Sequence, residues 1–295
     1  MLTHPSLKTF FNDRLAEAWY DPALRKAKLH SLADRAEPYA LRIAPKKVKG
    51  LVVSVDTQDD RLELQLTGWA EGSEAWAMDY DTIDGDPFED KVWSDLTDYV
   101  NTPVGHANGY HLPISATIID AGGHRTHAVY NYVRMRLIPR PMAIFGAKDN
   151  RALPLSKAKP QDVKWRGQVD KHGVHTRQVG TVQCKNWLMG AISVSADCDP
   201  EDRRIHFSEQ LPPQYFHGLV TEIYRPETGR YEKKTGIERD GIVARNEPLD
   251  LWTYAYAATH HEELLWHKRG LERWPVPIET LKKTETHKPK FYIPE

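Results

Sequence analysis

The sequence predicts an α/β fold built on one sheet of mixed direction. Three observations carry that prediction. The core opens as a meander of three strand-like runs, Leu51 to Thr57, Arg61 to Trp69 and Glu74 to Tyr80, joined by connections too short for anything but antiparallel pairing. A helical pattern follows at residues 86 to 100, and then PISATIID (113 to 120) returns as an apolar strand. A second helical pattern comes next, in HRTHAVYNYVRMR, and strand, covering helix, return strand and helix are what a parallel addition to a sheet requires.

Each element has its own signal. The first strand is a continuous apolar run; in the second, Leu62, Leu64 and Leu66 point inward and Glu63, Gln65 and Thr67 outward. Gly72 and Ser73 supply the turn into the third. Phe88, Val92, Leu96 and Val100 fall on one helical face, with Asp86 as N-cap and Pro87 in the first helical position. Ala128, Val129, Tyr132, Val133 and Leu137 form the face of the second helix, and Met142 to Phe145 reads as a fifth short strand. Beyond these the pattern predicts a helix near Val182 to Val194, strands near Arg204 to Phe207 and Gly218 to Tyr224, and a polar hairpin at RPETGRYEKKTG. The last element is a long helix, ARNEPLDLWTYAYAATHHEELLWHKR, with Asn246 as its cap.

The core therefore spans residues 51 to 270. Residues 1 to 50, with helical patches interrupted by Pro22, Pro38 and Pro45, read as a connecting arm, and residues 271 to 295 as a Pro- and Lys-rich flexible tail. Lys and Arg number 40 against 41 Asp and Glu, so no global charge draws the chain to nucleic acid or a membrane. No run approaches the ~18 apolar residues of a membrane span, and Cys184 and Cys198 lack metal or redox spacing, which predicts a cytosolic protein with reduced thiols. Local charge is another matter. Residues 148 to 185 hold nine Lys or Arg against three acids, while residues 79 to 98 hold eight acids against Lys91 alone. Both blocks are also what solvated faces look like.

Two strands end on an acid, the first at Asp56 and the return strand at Asp120. Ligands gather at the carboxyl ends of strands in open α/β sheets. If the two strands are parallel neighbours, their carboxylates share one crevice, and close like charges need a cation to stay ionised. All-oxygen donors suit Mg²⁺ or Mn²⁺. Asp250, in the first turn of the late helix, is a third acid, followed by the thin residues Thr253, Ala255, Ala257 and Ala258 that let a helix lie close to a sheet. Such a triad suits two ions about 3.5 to 4 Å apart, the arrangement used in phosphodiester hydrolysis. Gly122 and Gly123 leave room for a phosphate or backbone near Asp120. Taken singly, however, an Asp at a strand end also starts a turn, and Asp250 also complements a helix dipole. Asp59 and Asp60 make the hairpin turn, and either is a candidate fourth carboxylate.

A resemblance narrows these alternatives. DTQDDRLELQLTGWAEGSEAW resembles the opening of the nuclease domain in the large terminase subunits of lambda-type tailed phages, IIDAGGHRTHAVYNYVR is similar to that family's second acidic motif, and ARNEPLDLWTYAYAA to its third. LKTFFNDRLAEAW resembles the segment that joins the packaging ATPase to the nuclease, so the match runs in order from about residue 7 to 265. The resemblance implies a ribonuclease-H-like mixed sheet and a two-metal endonuclease using Mg²⁺ or Mn²⁺ to cut concatemeric viral DNA during genome packaging. On it, Asp56, Asp120 and Asp250 match the metal-binding acids, Asp60 an acid the family often keeps four residues after the first, and Lys148 a lysine after the fifth strand. It also implies double-stranded DNA, the terminase ATPase domain, the small terminase subunit and the portal as partners, no membrane, and the host cytoplasm as location. No G-x-x-x-x-G-K-[ST] loop occurs here, so the chain is expected neither to hydrolyse ATP nor to translocate DNA alone.

Within the basic block, Lys157, Lys159, Lys164, Arg166, Lys171 and Arg177 are the candidate DNA-tracking side chains, acting through phosphates. Two rivals stand beside the nuclease reading. One is a resolvase-type enzyme of the same fold, and the other a non-catalytic module that grips DNA or docks the motor.

Overall fold

The computed structural model describes residues 32–195, 198–234, 238–239, 242–243 and 245–279. Its centre is an eight-stranded sheet. In chain order the strands are β1 (Gly50–Thr57), β2 (Arg61–Trp69), β3 (Ala75–Asp84), β4 (Ile114–Asp120), β5 (Pro141–Gly146), β6 (Lys159–Trp165), β7 (Gln168–Val179) and β8 (Ile205–Phe207). Their spatial order is β8-β3-β2-β1-β4-β5-β7-β6. The meander β1–β2–β3 is antiparallel, while β4 joins β1 in parallel, β5 joins β4 and β7 joins β5 in the same sense. This is the mixed α/β sheet the sequence predicts, of ribonuclease-H-like order.

Period-two alternation sorts the strands between two apolar layers. Leu51, Val53 and Val55 of β1, with Leu62, Leu64 and Leu66 of β2, pack under helices α1 (Asp90–Asn101) and α2 (Thr126–Met135). Val52, Ala116, Ile118 and Ile144 face the other way, against α3 (Thr181–Val194), α4 (Pro213–Leu219) and α5 (Glu247–Ala258). Covering both faces explains one departure from the sequence reading. Glu63, Gln65 and Thr67, expected outward, are buried, because their face of β2 lies under α4 and α5 rather than in water.

Other boundaries shift for local reasons. The first helix starts at Asp90, not Asp86. The Asp86 carboxylate instead accepts the amide of Phe88 at 2.9 Å in a turn preceding the helix, and Arg125 lies over the Phe88 ring. α2 ends at Met135 on a left-handed Arg136, so Leu137 falls outside it and is half exposed. The strand expected at 218 to 224 is the end of α4 followed by a strand β9 (Glu222–Arg225), which pairs with β10 (Arg230–Lys233) in the polar hairpin. α5 closes at Ala258, and the next residues are turns, not helix.

The hairpin β6–β7 has no counterpart in the sequence reading. Nearly every β6 side chain is exposed, so no apolar alternation marks it. Its turn is Arg166-Gly167, with φ of 47° and 79°, the left-handed pair that a two-residue hairpin loop needs.

At the chain's two ends, residues 32 to 49 lie on the domain, with Leu32, Ala44 and Val48 fully buried and the Tyr39 hydroxyl donating to the Ala77 carbonyl at 2.8 Å. Residues 43–44 form a small sheet with 104–106 and 111–112. After residue 270 the Trp274 ring stacks on Trp266, and Ile278 bridges to His111. The remainder of the expected arm and tail, 1–31 and 280–295, lies outside the described residues. Cys184, buried in α3, and Cys198 are both free.

The layer beneath α5 depends on one polar chain. Tyr215 donates its hydroxyl to the Gln65 side-chain carbonyl at 2.8 Å and accepts from the Trp252 indole at 2.6 Å. Replacing Tyr215 with Phe leaves both buried groups unpaired, and the expected loss is about 1–3 kcal/mol of unfolding free energy in urea titrations. A change indistinguishable from zero would show that the chain of hydrogen bonds contributes nothing.

Candidate active site

β1 and β4 run side by side in parallel, and their ladder ends at the pair Val55 and Ile119. The next residue on each strand is Asp56 and Asp120. Both have the parity of Val52 and Ile118, so both carboxylates emerge on the α5 face. α5 crosses that face, bringing Asp250 from its first turn and Tyr254 from one turn later. The three aspartates are close enough to act on one another electrostatically.

Burial first, then the charges of Asp120 and Asp250, push the Asp56 carboxyl up from 3.8 to about 8, against a hydrogen bond donated by Gln58. Asp120 rises to about 6 for the same leading reason, opposed by the Gly122 amide at 3.1 Å and by the Tyr254 hydroxyl. Tyr254 itself is held neutral, well above the ordinary phenol range, by burial and by all three aspartates. A Cβ at Gly122 would stand 3.2 Å from an Asp120 oxygen, so a larger residue there would have to shift that carboxylate. Gly123 has φ of 82° and open space where a side chain would project.

Asp250 is held differently. Its Oδ1 pairs with Lys185 Nζ at 2.8 Å, and its Oδ2 accepts from Asn246 Nδ2 at 2.6 Å. The same two donors reach Glu222, from Lys185 to Oε2 at 2.7 Å and from Asn246 to Oε1 at 2.9 Å. The four side chains close a ring. Asn246 therefore does not cap α5 with its side chain, as the sequence suggested, but spends its amide on two carboxylates. Burial works to lower the Lys185 pKa, but Asp250 and Glu222 together raise it above the ordinary lysine value, so it stays charged. For Asp250 burial outweighs the lysine and leaves its pKa raised.

A second acidic group flanks the first. Glu63 sits directly across the β1–β2 ladder from Asp56. It accepts from Tyr80 and Arg61, and Arg61 also reaches Glu247 at 3.5 Å. Arg61 between them offsets part of their charge, but burial and the neighbouring Glu63 still leave the Glu247 pKa raised.

Two further candidates stand apart from the cluster. Asp60 is exposed in the β1–β2 turn, paired with Arg61 at 2.8 Å, and Lys148 is exposed in the loop after β5. The ammonium that reaches the cluster is that of Lys185, bound to Asp250 alone among the three aspartates, and the sequence offered it only as one basic residue in a block of nine. Of the candidate DNA-tracking residues, Lys157, Lys159, Lys164 and Lys171 are exposed on or beside the β6–β7 hairpin. Arg166, at its tip, is exposed but paired with Asp90 at 2.9 Å. Arg177 is buried, bonded to Glu262 and to the Ser156 carbonyl, because it lies on the inner part of β7.

Among the described residues no three His, Cys, Asp or Glu side chains stand close enough to hold one ion between them as placed. The donor set nonetheless fits a hard divalent cation. Among the described residues Asp56 and Asp120 have no cationic partner, and each makes ionisation of the other costly, while the acid that would complete the set is turned toward Lys185.

The raised Asp56 pKa makes a pH prediction for the metal-free protein. Between pH 3.8 and about 8 the folded chain holds a proton that the unfolded chain releases, so this group's contribution is fully present below pH 3.8 and lost as pH rises through about 8. In EDTA, Asp56→Asn is expected to melt at least ~2 °C above the native chain at pH 8, with the gap closing toward pH 4. Parallel melting curves at all pH values would contradict the assigned repulsion.

Sequence comparison places this geometry in a family. Residues 3–270 match the family described as terminase large subunit gpA, endonuclease domain. The chain is 28% identical over 291 residues to the terminase large subunit of Enterobacteria phage P21, covering 96% of this chain and 42% of that protein. It is 25% identical over 284 residues to the terminase large subunit of Escherichia phage lambda, covering 93% and 40%. The chain thus spans about two fifths of the length of these relatives. No solved structure gives a significant match. A match over nearly the whole chain, three acidic segments in order and a ribonuclease-H-like sheet lead to one conclusion: the chain belongs to the gpA endonuclease-domain family of terminase large subunits.

Proposed function

We propose that the chain is a divalent-metal-dependent DNA endonuclease that cuts concatemeric viral DNA during genome packaging by two-metal phosphodiester hydrolysis. The observation that supports this most is the convergence of Asp56, Asp120 and Asp250 at the carboxyl ends of β1 and β4 beneath α5, where burial penalises every one of their charges. A site built for stability alone would hold apolar side chains there, or paired charges as around Glu63.

In this reading Asp56, Asp120 and Asp250 are the ligands. Mg²⁺ or Mn²⁺ bound there would supply activation of the attacking water and stabilisation of the leaving 3′ oxygen. The chain's own groups prepare the site. Gln58 fixes the Asp56 carboxylate, and the Gly122 amide and Tyr254 hydroxyl fix that of Asp120. The open space at Gly123 leaves an approach for a phosphate. Asp60 and Lys148 enter only as groups at the rim. Lys157, Lys159, Lys164, Lys171 and Arg166 would follow the phosphate backbone of a duplex, adding affinity without sequence preference. Arg177, already engaged, supports the hairpin instead.

The remaining parts of the packaging machine belong to the same proposal: the ATPase domain, the small subunit, the portal, and action in the cytoplasm of an infected host. No helix among the described residues is long and apolar enough to cross a membrane.

Supercoiled-plasmid cleavage tests the reading. Nicked and linear products are expected with Mn²⁺ or Mg²⁺, none with EDTA, and background levels for Asp56→Ala, Asp120→Ala and Asp250→Ala in folded protein. Normal cleavage by any of these variants would remove that acid from the site. Charge reversal at Lys157, Lys159 and Lys164 together is expected to weaken duplex binding and to flatten its salt dependence by up to ~3 in the slope of log K against log salt. An unchanged slope would place the DNA elsewhere.

A further inference from the structure

Each oxygen of Asp250 already has a partner. Lys185 holds one and Asn246 the other, at 2.8 and 2.6 Å. The lysine comes from α3, and its side chain is only 9% exposed, so water cannot readily take its place. Glu222, at the first residue of β9, completes the ring and is equally buried. Among the described residues no cation pairs with Asp56 or Asp120, although they are the acids whose charges burial and repulsion penalise most plainly.

The geometry points to Lys185 as a positioning residue of the carboxylate centre. Its ammonium and a divalent cation compete for the same Asp250 carboxylate, and Asp250 joins Asp56 and Asp120 by exchanging Lys185 for the ion. This rests on the metal-dependent nuclease reading. Two features support exchange over a fixed structural tie. The lysine has two carboxylates where one would join α3 to α5, so on leaving Asp250 it keeps Glu222 and no buried cation is stranded. Asn246 is neutral and bridges both acids, so it can hold Glu222 through the change without adding charge. Glu222 is then the resting place of the lysine when the site is loaded, and the strength of the Lys185 grip on Asp250 sets metal affinity.

Calorimetric titration of Mn²⁺ into the full chain, without DNA, measures this directly. Lys185→Met is expected to bind Mn²⁺ at least about tenfold more tightly than the native chain, since a positive charge leaves the site and an Asp250 oxygen is freed. Lys185→Arg, which keeps the cation, is expected to return affinity toward the native value. Glu222→Gln removes the resting place and is expected to weaken binding by about tenfold when Lys185 is present but to have little effect on Lys185→Met. That variant keeps the pair with Asp250, so it carries the test if Lys185→Met does not fold. Equal or weaker Mn²⁺ binding by folded Lys185→Met, or no change with Glu222→Gln, overturns the exchange. Asp56→Asn separates the two readings. If native binding is lost in Asp56→Asn while Lys185→Met binds no tighter than native, the exchange fails and the metal site stands. If neither the native chain nor Lys185→Met binds Mn²⁺, both fail.

Discussion

Like charges brought together out of water are the constraint around which this molecule is arranged. Parallel pairing of β1 with β4 puts Asp56 beside Asp120, and the shallow approach of α5 adds Asp250. Nothing in the packing of the sheet demands carboxylates there, and burial, followed by the charges of Asp120 and Asp250, drives Asp56 far from its ordinary value. The surrounding polar groups are best understood as answers to that repulsion: an amide from Gly122, a carboxamide from Gln58, a phenol from Tyr254 and an ammonium from Lys185. They divide unevenly. The strand-end pair receives neutral donors only, whereas the helix-borne acid receives a full charge.

That division separates the site into a part that is stable as it stands and a part that is not. A buried ion pair is costly to break, about 3–5 kcal/mol when one partner is removed, so in the metal-free protein the ring of Lys185, Glu222, Asn246 and Asp250 ties α3, β9 and α5 together. The β1–β4 end has no such tie. Its rigidity comes from the sheet and from the apolar layer in which Trp252 of α5 packs with Tyr215 of α4.

How much of this the sequence discloses depends on whether a residue's role is local. Asp56 and Asp120 were legible because each ends an apolar run, and the strands' directions followed from loop length and the intervening helix. Asp250 needed the motif resemblance, since a helix N-terminus accounts for an acid equally well. Asn246 was misread for that reason: Asn before Glu-Pro is a capping signal, and only the fold brings Glu222 close enough to claim its amide. Lys185 was hidden by composition. A lysine among eight other basic residues reads as surface, and its burial follows from where α3 is laid, which no spacing within α3 reveals. Glu63 and Gln65 were turned the wrong way because alternation distinguishes two faces without saying that both are covered. The β6–β7 hairpin escaped because an exposed strand has no apolar period to detect.

That hairpin also governs how the protein behaves toward its own copies. β6 is the last strand of the sheet, and its outer edge carries backbone donors and acceptors ready to pair with another chain. Lys159 and Lys164 charge that edge, Pro160 lacks an amide hydrogen, and a bulge between Asp170 and Val174 bends the partner strand. The lysines that make the strand attractive to a polyanion are thus the ones that keep the sheet from growing. If a duplex follows this hairpin as proposed, solubility and nucleic-acid affinity draw on the same few charges, and neutralising them to weaken one removes a safeguard against self-association.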